Sequence, residues 1–80
     1  MPVRILFLGP LQDLVGCPEM QAQAPLDWSG LLDLVGPEMS AVLCEDRVNV
    51  ACRGQVLAVK SDLLADHGDE IALLPPVSGG

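Results

Sequence analysis

Glu70-Ile71-Ala72-Leu73-Leu74 is a nearly unbroken apolar run, entered through the turn residues Asp66-His67-Gly68-Asp69 and cut off by Pro75-Pro76. It reads as a β-strand, because turn formers bound it on one side and residues that cannot join a ladder bound it on the other. A run with so little polar surface suits the middle of a sheet. Its natural neighbour is the other strongly apolar run, Val3-Arg4-Ile5-Leu6-Phe7-Leu8, which Gly9-Pro10 stops. Along that run Val3, Ile5 and Phe7 share one face, and Arg4, Leu6 and Leu8 share the other. The first set is the core face, since Arg4 belongs near solvent.

Working outward, Pro10 suits a first helical turn, and Leu11, Leu14 and Val15 have helical spacing before Gly16. Glu19 to Ala24 alternates with Met20, Ala22 and Ala24 on one face, a second strand that Pro25 ends. Too few residues separate it from the first strand for a crossover, so the two pair as a hairpin-like unit. Asp27 is an N-cap for the main helix, whose apolar stripe is Leu31, Leu32, Leu34 and Val35 and which Gly36-Pro37 closes. Gly30 weakens that helix by about 1 kcal/mol relative to Ala. Met39, Val42 and Leu43 suit a further short helical turn. Arg47 to Cys52 alternates as a strand, Arg53-Gly54 is a turn, and Gln55 to Val59 a brief strand. Asp62 to Ala65 suggests one more helical turn. The order predicts an α+β fold, one mixed sheet packed on one main helix with short helical turns. The domain is expected over residues 1–74, with a flexible C-terminal tail over 75–80.

Eighty residues, half of them hydrophobic with only Phe7 and Trp28 aromatic, support a single thin aliphatic core. Eleven acids against four bases give a net charge of −7. Nucleic acid and anionic membranes both call for clustered Lys and Arg, so neither is an expected partner. Acidity instead favours basic protein partners or simply solubility. No signal peptide or membrane span is legible. Cys17, Cys44 and Cys52 are odd in number and outside any CxxC pattern, which points away from disulfides and zinc and toward a cytoplasmic setting.

The last charged side chain is Glu70, so the final ten residues are neutral apart from the carboxylate of Gly80. Pro75-Pro76 favours a stiff, extended exit. Val77 and Ser78 are small, and Gly79-Gly80 carry no side chains. Such an end can thread a narrow channel and present one anion at its tip. Gly68-Asp69-Glu70-Ile71-Ala72-Leu73-Leu74-Pro75-Pro76-Val77-Ser78-Gly79-Gly80 resembles the end of the molybdopterin synthase small subunits, the MoaD-type sulfur carriers. Val3 to Leu8 with Leu11-Gln12-Asp13-Leu14-Val15-Gly16 is similar to that family's opening strand and short helix. Glu19 to Glu45 matches in pattern only. Cys52-Arg53-Gly54 departs from the family, which commonly has an Asn-Gly turn there.

The resemblance implies a β-grasp, ubiquitin-like fold and a carrier that is not itself catalytic. An E1-like activating enzyme would adenylate Gly80 with MgATP, and a sulfur donor protein would replace AMP to leave a thiocarboxylate. The tail Pro75, Pro76, Val77, Ser78 and Gly79 would then enter the large synthase subunit, in a heterotetramer, and deliver sulfur to cyclic pyranopterin monophosphate. No cofactor or metal bound by this chain is implied. Leu8, Val56 and Leu74 align with the family's partner-contact positions. Two alternatives stay open: a ThiS-type carrier for thiazole synthesis, and a ubiquitin-like modifier joined to lysines. His67 reads as a solvated turn residue, because a catalytic base needs a nucleophile in reach. Cys52 and Cys44 read as small core residues and Cys17 as a loop residue without a base. Asp66, Asp69 and Glu70 lack calcium-loop spacing.

Overall fold

The apolar run Glu70–Leu74, β7, sits at the centre of a sheet. A computed structural model describes residues 2–75. Within them the chain forms β1 (Val3–Phe7), α1 (Pro10–Val15), β2 (Glu19–Ala22), β3 (Leu26–Asp27), α2 (Trp28–Val35), α3 (Pro37–Leu43), β4 (Asn49–Cys52), β5 (Gln55–Val56), a 3-10 turn (Lys60–Asp62), β6 (Leu64–Ala65) and β7. Five strands make one sheet in the order β2-β1-β7-β4-β5. β7 runs parallel to β1, with Ile5 beside Ile71 and Phe7 beside Leu73. The other pairings in this sheet are antiparallel, so it is mixed.

The inner face carries Val3, Ile5, Phe7, Val50, Cys52, Ile71 and Leu73, all buried. Leu11 from α1, Leu31 from α2, and Met39 and Leu43 from α3 close over them. Burying each aliphatic chain among them is worth about 1.5–3 kcal/mol, which is how an 80-residue chain holds together with little aromatic bulk beyond Phe7. Asp27 caps α2 as its sequence suggests, its Oδ1 accepting from the Gly30 N–H at 2.8 Å. A Cβ on Gly30 would stand 3.0 Å from Leu26 Cδ1 and 3.1 Å from that Asp27 oxygen, so the cap itself needs the space. Ser40 Oγ donates to Leu32 O at 2.6 Å and ties the end of α2 to α3.

Three expectations are corrected. Asp62 to Ala65 is not a helical turn: the 3-10 turn ends at Asp62, and Leu64–Ala65 pairs antiparallel with Leu26–Asp27 in a second, two-stranded sheet. The reason is a period of two, with Leu63 and Ala65 buried and Leu64 outside. The brief strand expected over Gln55 to Val59 ends at Val56. The helical stripes are narrower than read, because α1 and α2 are only 6 and 8 residues long; Leu14 and Leu34 are exposed. A mixed sheet with its central parallel pair laid on consecutive helices is the expected α+β, β-grasp architecture.

Candidate functional site

The tail leaves the domain from the sheet's central strand. Pro75 is half-buried, and Pro76, Val77, Ser78, Gly79 and Gly80, the residues expected to act, lie outside the described residues. Its root is fixed by β1's own continuation. The Leu8 N–H donates to Leu73 O at 3.3 Å, extending the β1–β7 ladder by one bond. Gly9 follows at φ +57°, and a Cβ there would lie 3.3 Å from Pro75 Cγ. Both the backbone angle and the contact with Pro75 therefore favour glycine. Gly9 reads in the sequence as a strand stop only; its place against the tail root needed the parallel β1–β7 register.

Near that root the outer face of the sheet is largely apolar, with Asn49 the polar residue beside Leu74. Register places Leu6 beside Ala72, Ala72 beside Ala51, and Ala51 beside Val56, one row across four strands. Side chains on one such row share a face. Leu8 and Leu74 extend this patch toward the tail, Leu8 being 37% and Val56 59% exposed and Leu74 half-buried. The three residues aligned with partner contacts thus fall on one apolar surface. Leu6, Ala51 and Ala72 join it, and only the pairing register reveals them.

The opposite end of the same face is charged. Arg4 Nε lies 3.2 Å from Glu19 Oε2 and Arg4 Nη1 lies 3.4 Å from Glu70 Oε2; Glu70 is the register partner of Arg4, whereas Glu19 stands beside Leu6 on the β2 edge and reaches Arg4 diagonally. These exposed pairs add little stability. Their effect is to leave the apolar half facing the tail.

The remaining candidates do not assemble into a second site. Cys52 is buried on the inner face, and burial, helped by the Asp69 charge, pushes its thiol pKa up against the opposing influence of Arg53. Cys17 is half-buried and Cys44 is exposed, which corrects its expected place in the core. His67 is exposed in the turn before β7, its N–H donating to Asp66 Oδ1 at 2.8 Å. Among the described residues no group of three His, Cys, Asp or Glu side chains could hold a metal. No helix among them is long and apolar enough to cross a membrane.

This geometry has close counterparts. The ThiS family model matches residues 5–80. The molybdopterin synthase sulfur carrier subunit of Drosophila erecta is 31% identical over 81 residues, spanning 98% of this chain and 90% of its own length. The small archaeal modifier protein 1 of Methanosarcina acetivorans superposes with a TM-score of 0.79 at 25% identity, over 99% of this chain and 96% of that one. A protein–protein complex of subunits 1 and 2 of molybdopterin-converting factor from Helicobacter pylori gives a TM-score of 0.67 at 24% identity, with full coverage of both chains. At that identity the last likeness concerns the fold.

Proposed function

The chain belongs to the ThiS family, and from that premise we propose that it is the sulfur carrier subunit of a molybdopterin synthase. The observation that carries this reading is the placement of the tail's root at Leu74 and Pro75. The central strand β7 ends at Leu74, its exit is seated against Gly9, and an apolar patch surrounds that point. A patch of this kind, at the root of a segment whose side chains carry no charge, suits a chain that docks its tail in another protein. In the proposed cycle a Gly80 carboxylate oxygen attacks the α-phosphorus of ATP on an activating enzyme, and pyrophosphate leaves. A sulfur donor then displaces AMP, and Gly80 becomes a thiocarboxylate. Inserted in the large subunit, that sulfur attacks cyclic pyranopterin monophosphate, with positioning supplied by the partner. The partner is a large subunit like that implied by the Helicobacter pylori two-subunit complex.

Intact mass spectrometry after incubation with an activating enzyme, ATP and a sulfur source tests this directly. The expected result is a mass gain matching one oxygen exchanged for sulfur, absent when Gly80 is deleted, with thermal melting unchanged by the deletion. A truncated chain that still supports molybdopterin formation would end the proposal. The likeness to a small archaeal modifier protein favours a second reading, attachment of Gly80 to lysines of other proteins. Isopeptide conjugates in cell extract would support it, and a free thiocarboxylate would support carriage.

A further inference from the structure

Lys60 is the chain's single lysine, and its ammonium group is fully occupied. Nζ donates to Leu43 O at 2.7 Å, to Val48 O at 3.0 Å and to Glu45 O. An ammonium has three N–H donors and no acceptor, so each proton has a carbonyl. Those carbonyls belong to the C-terminus of α3 and the loop that leads into β4. A cation there also meets the negative end of a helix. The same loop is held by backbone bonds from Cys44 N to Ser40 O, from Glu45 N to Val42 O and from Val48 N to Glu45 O.

We propose that Lys60 is a specificity-determining residue for the activated tail: by holding its only lysine as a backbone cap, the chain withholds the lysine of a second copy of itself from isopeptide formation with Gly80. This rests on the proposed activation of Gly80. In the excluded step, the lone pair of a neutral lysine amine attacks the carbonyl carbon of a Gly80 adenylate. A C–N bond forms, the C–O bond to AMP breaks, AMP departs with the electron pair, and the amine proton goes to solvent. To attack, the Lys60 amine would have to leave Leu43 O and Val48 O without this donor, whereas Glu45 O keeps the Val48 N–H. Those two bonds are part-buried, and part-buried carbonyls stripped of a donor are costly. Arg4, Arg47 and Arg53 offer no alternative, because a guanidinium stays protonated. A carrier built this way sends its acyl-bound sulfur outward rather than growing into chains.

Two measurements on the full chain test the inference. The first is acylation by an N-hydroxysuccinimide acetate ester at one pH, native against urea-unfolded, with Lys60 read in Glu-C peptides. Lys60 is expected to label about tenfold or more slowly in the native chain, since reaction waits on local opening. The second is incubation with an activating enzyme and ATP. Pyrophosphate release is expected without any Lys60–Gly80 isopeptide, whereas Asp33→Lys, an exposed position on α2, gains one. Equal labelling rates, a Lys60 adduct in the natural chain, or no adduct on Asp33→Lys despite pyrophosphate release would each overturn the inference alone. Slow labelling of Lys60 with no pyrophosphate release would overturn the activation reading, and the role of Lys60 with it.

Discussion

Cys52, at the end of β4, faces inward while its neighbours along the chain, Ala51 and Arg53, face outward. Alternation alone locates it, so this residue is legible in the sequence. Cys44 is not. It follows Leu43, whose side chain is buried with Met39 at i and i+4 spacing, and so stands about 100° round the helix from that stripe. A residue just past a short helix is easily assigned to the wrong face. The difference has a measurable consequence. Burial, and then the Asp69 carboxylate, hold the Cys52 thiol above its ordinary range, with Arg53 pulling the other way. The neutral thiol is thus kept through the physiological range, and iodoacetamide should modify Cys44 first, Cys17 next and Cys52 last. With the folded pKa above the unfolded one, the contribution is intact below the usual thiol pKa and is lost as pH rises toward the folded value. Melting temperature should fall over that alkaline window, and the fall should be shallower in Cys52→Ala. Modification of Cys52 at the rate of Cys44 would show that it is not a core residue.

The β4–β5 hairpin shows how an element tolerates a sequence that departs from its usual form. Cys52 pairs with Gln55, leaving a two-residue loop in which Arg53 has φ +54° and Gly54 φ +82°. Two positive φ values are what a twisted two-residue hairpin requires, and Asn-Gly is its favoured filling. The turn is therefore kept with Arg in the place of Asn, at a local backbone cost of about 1 kcal/mol. Arg53 Nε recovers a contact at 3.9 Å from Asp69 Oδ2, a long pair with an exposed arginine and a half-buried aspartate, of small worth at that distance. Arg53→Asn should then raise stability by roughly 0.5–1 kcal/mol, seen as a higher urea midpoint at unchanged slope. A clear loss would mean that the arginine contributes packing beyond that one pair. Other elements divide on the same grounds. β1 and β7 are legible because each is a bounded apolar run long enough to show its period. β3 and β6 are two residues each and exist only as partners of one another. Local pattern carries no sign of such a pairing, and Asp62 to Ala65 is read as helical in consequence.

Across the whole molecule the outer sheet face is polarised, with Arg4 and Glu70 at one end, Glu19 beside Leu6 at the β2 edge, and Leu8, Val56 and Leu74 toward the tail. The sequence shows the two ends of this arrangement, through the neutral tail and the resemblance that singles out Leu8, Val56 and Leu74. It does not show the row Leu6, Ala72, Ala51 and Val56, because register between non-adjacent strands decides which residues meet. If this surface docks the proposed large subunit, two substitutions separate binding from folding. Val56 is 59% exposed on the edge strand β5, so Val56→Asp should change stability by no more than about 0.5 kcal/mol. It should nevertheless weaken binding about tenfold or more, because a charge placed in an apolar contact is left unpaired once desolvated. Leu74 is half-buried in the central strand, so Leu74→Asp should weaken binding at least as much and also cost some stability. Calorimetric titration with the large subunit, paired with urea unfolding of each variant, reads both quantities. Full-affinity binding by Val56→Asp would remove the outer face from the interface. Global unfolding of Leu74→Asp with normal binding by Val56→Asp would make Leu74 a core residue and leave the tail alone as the contact.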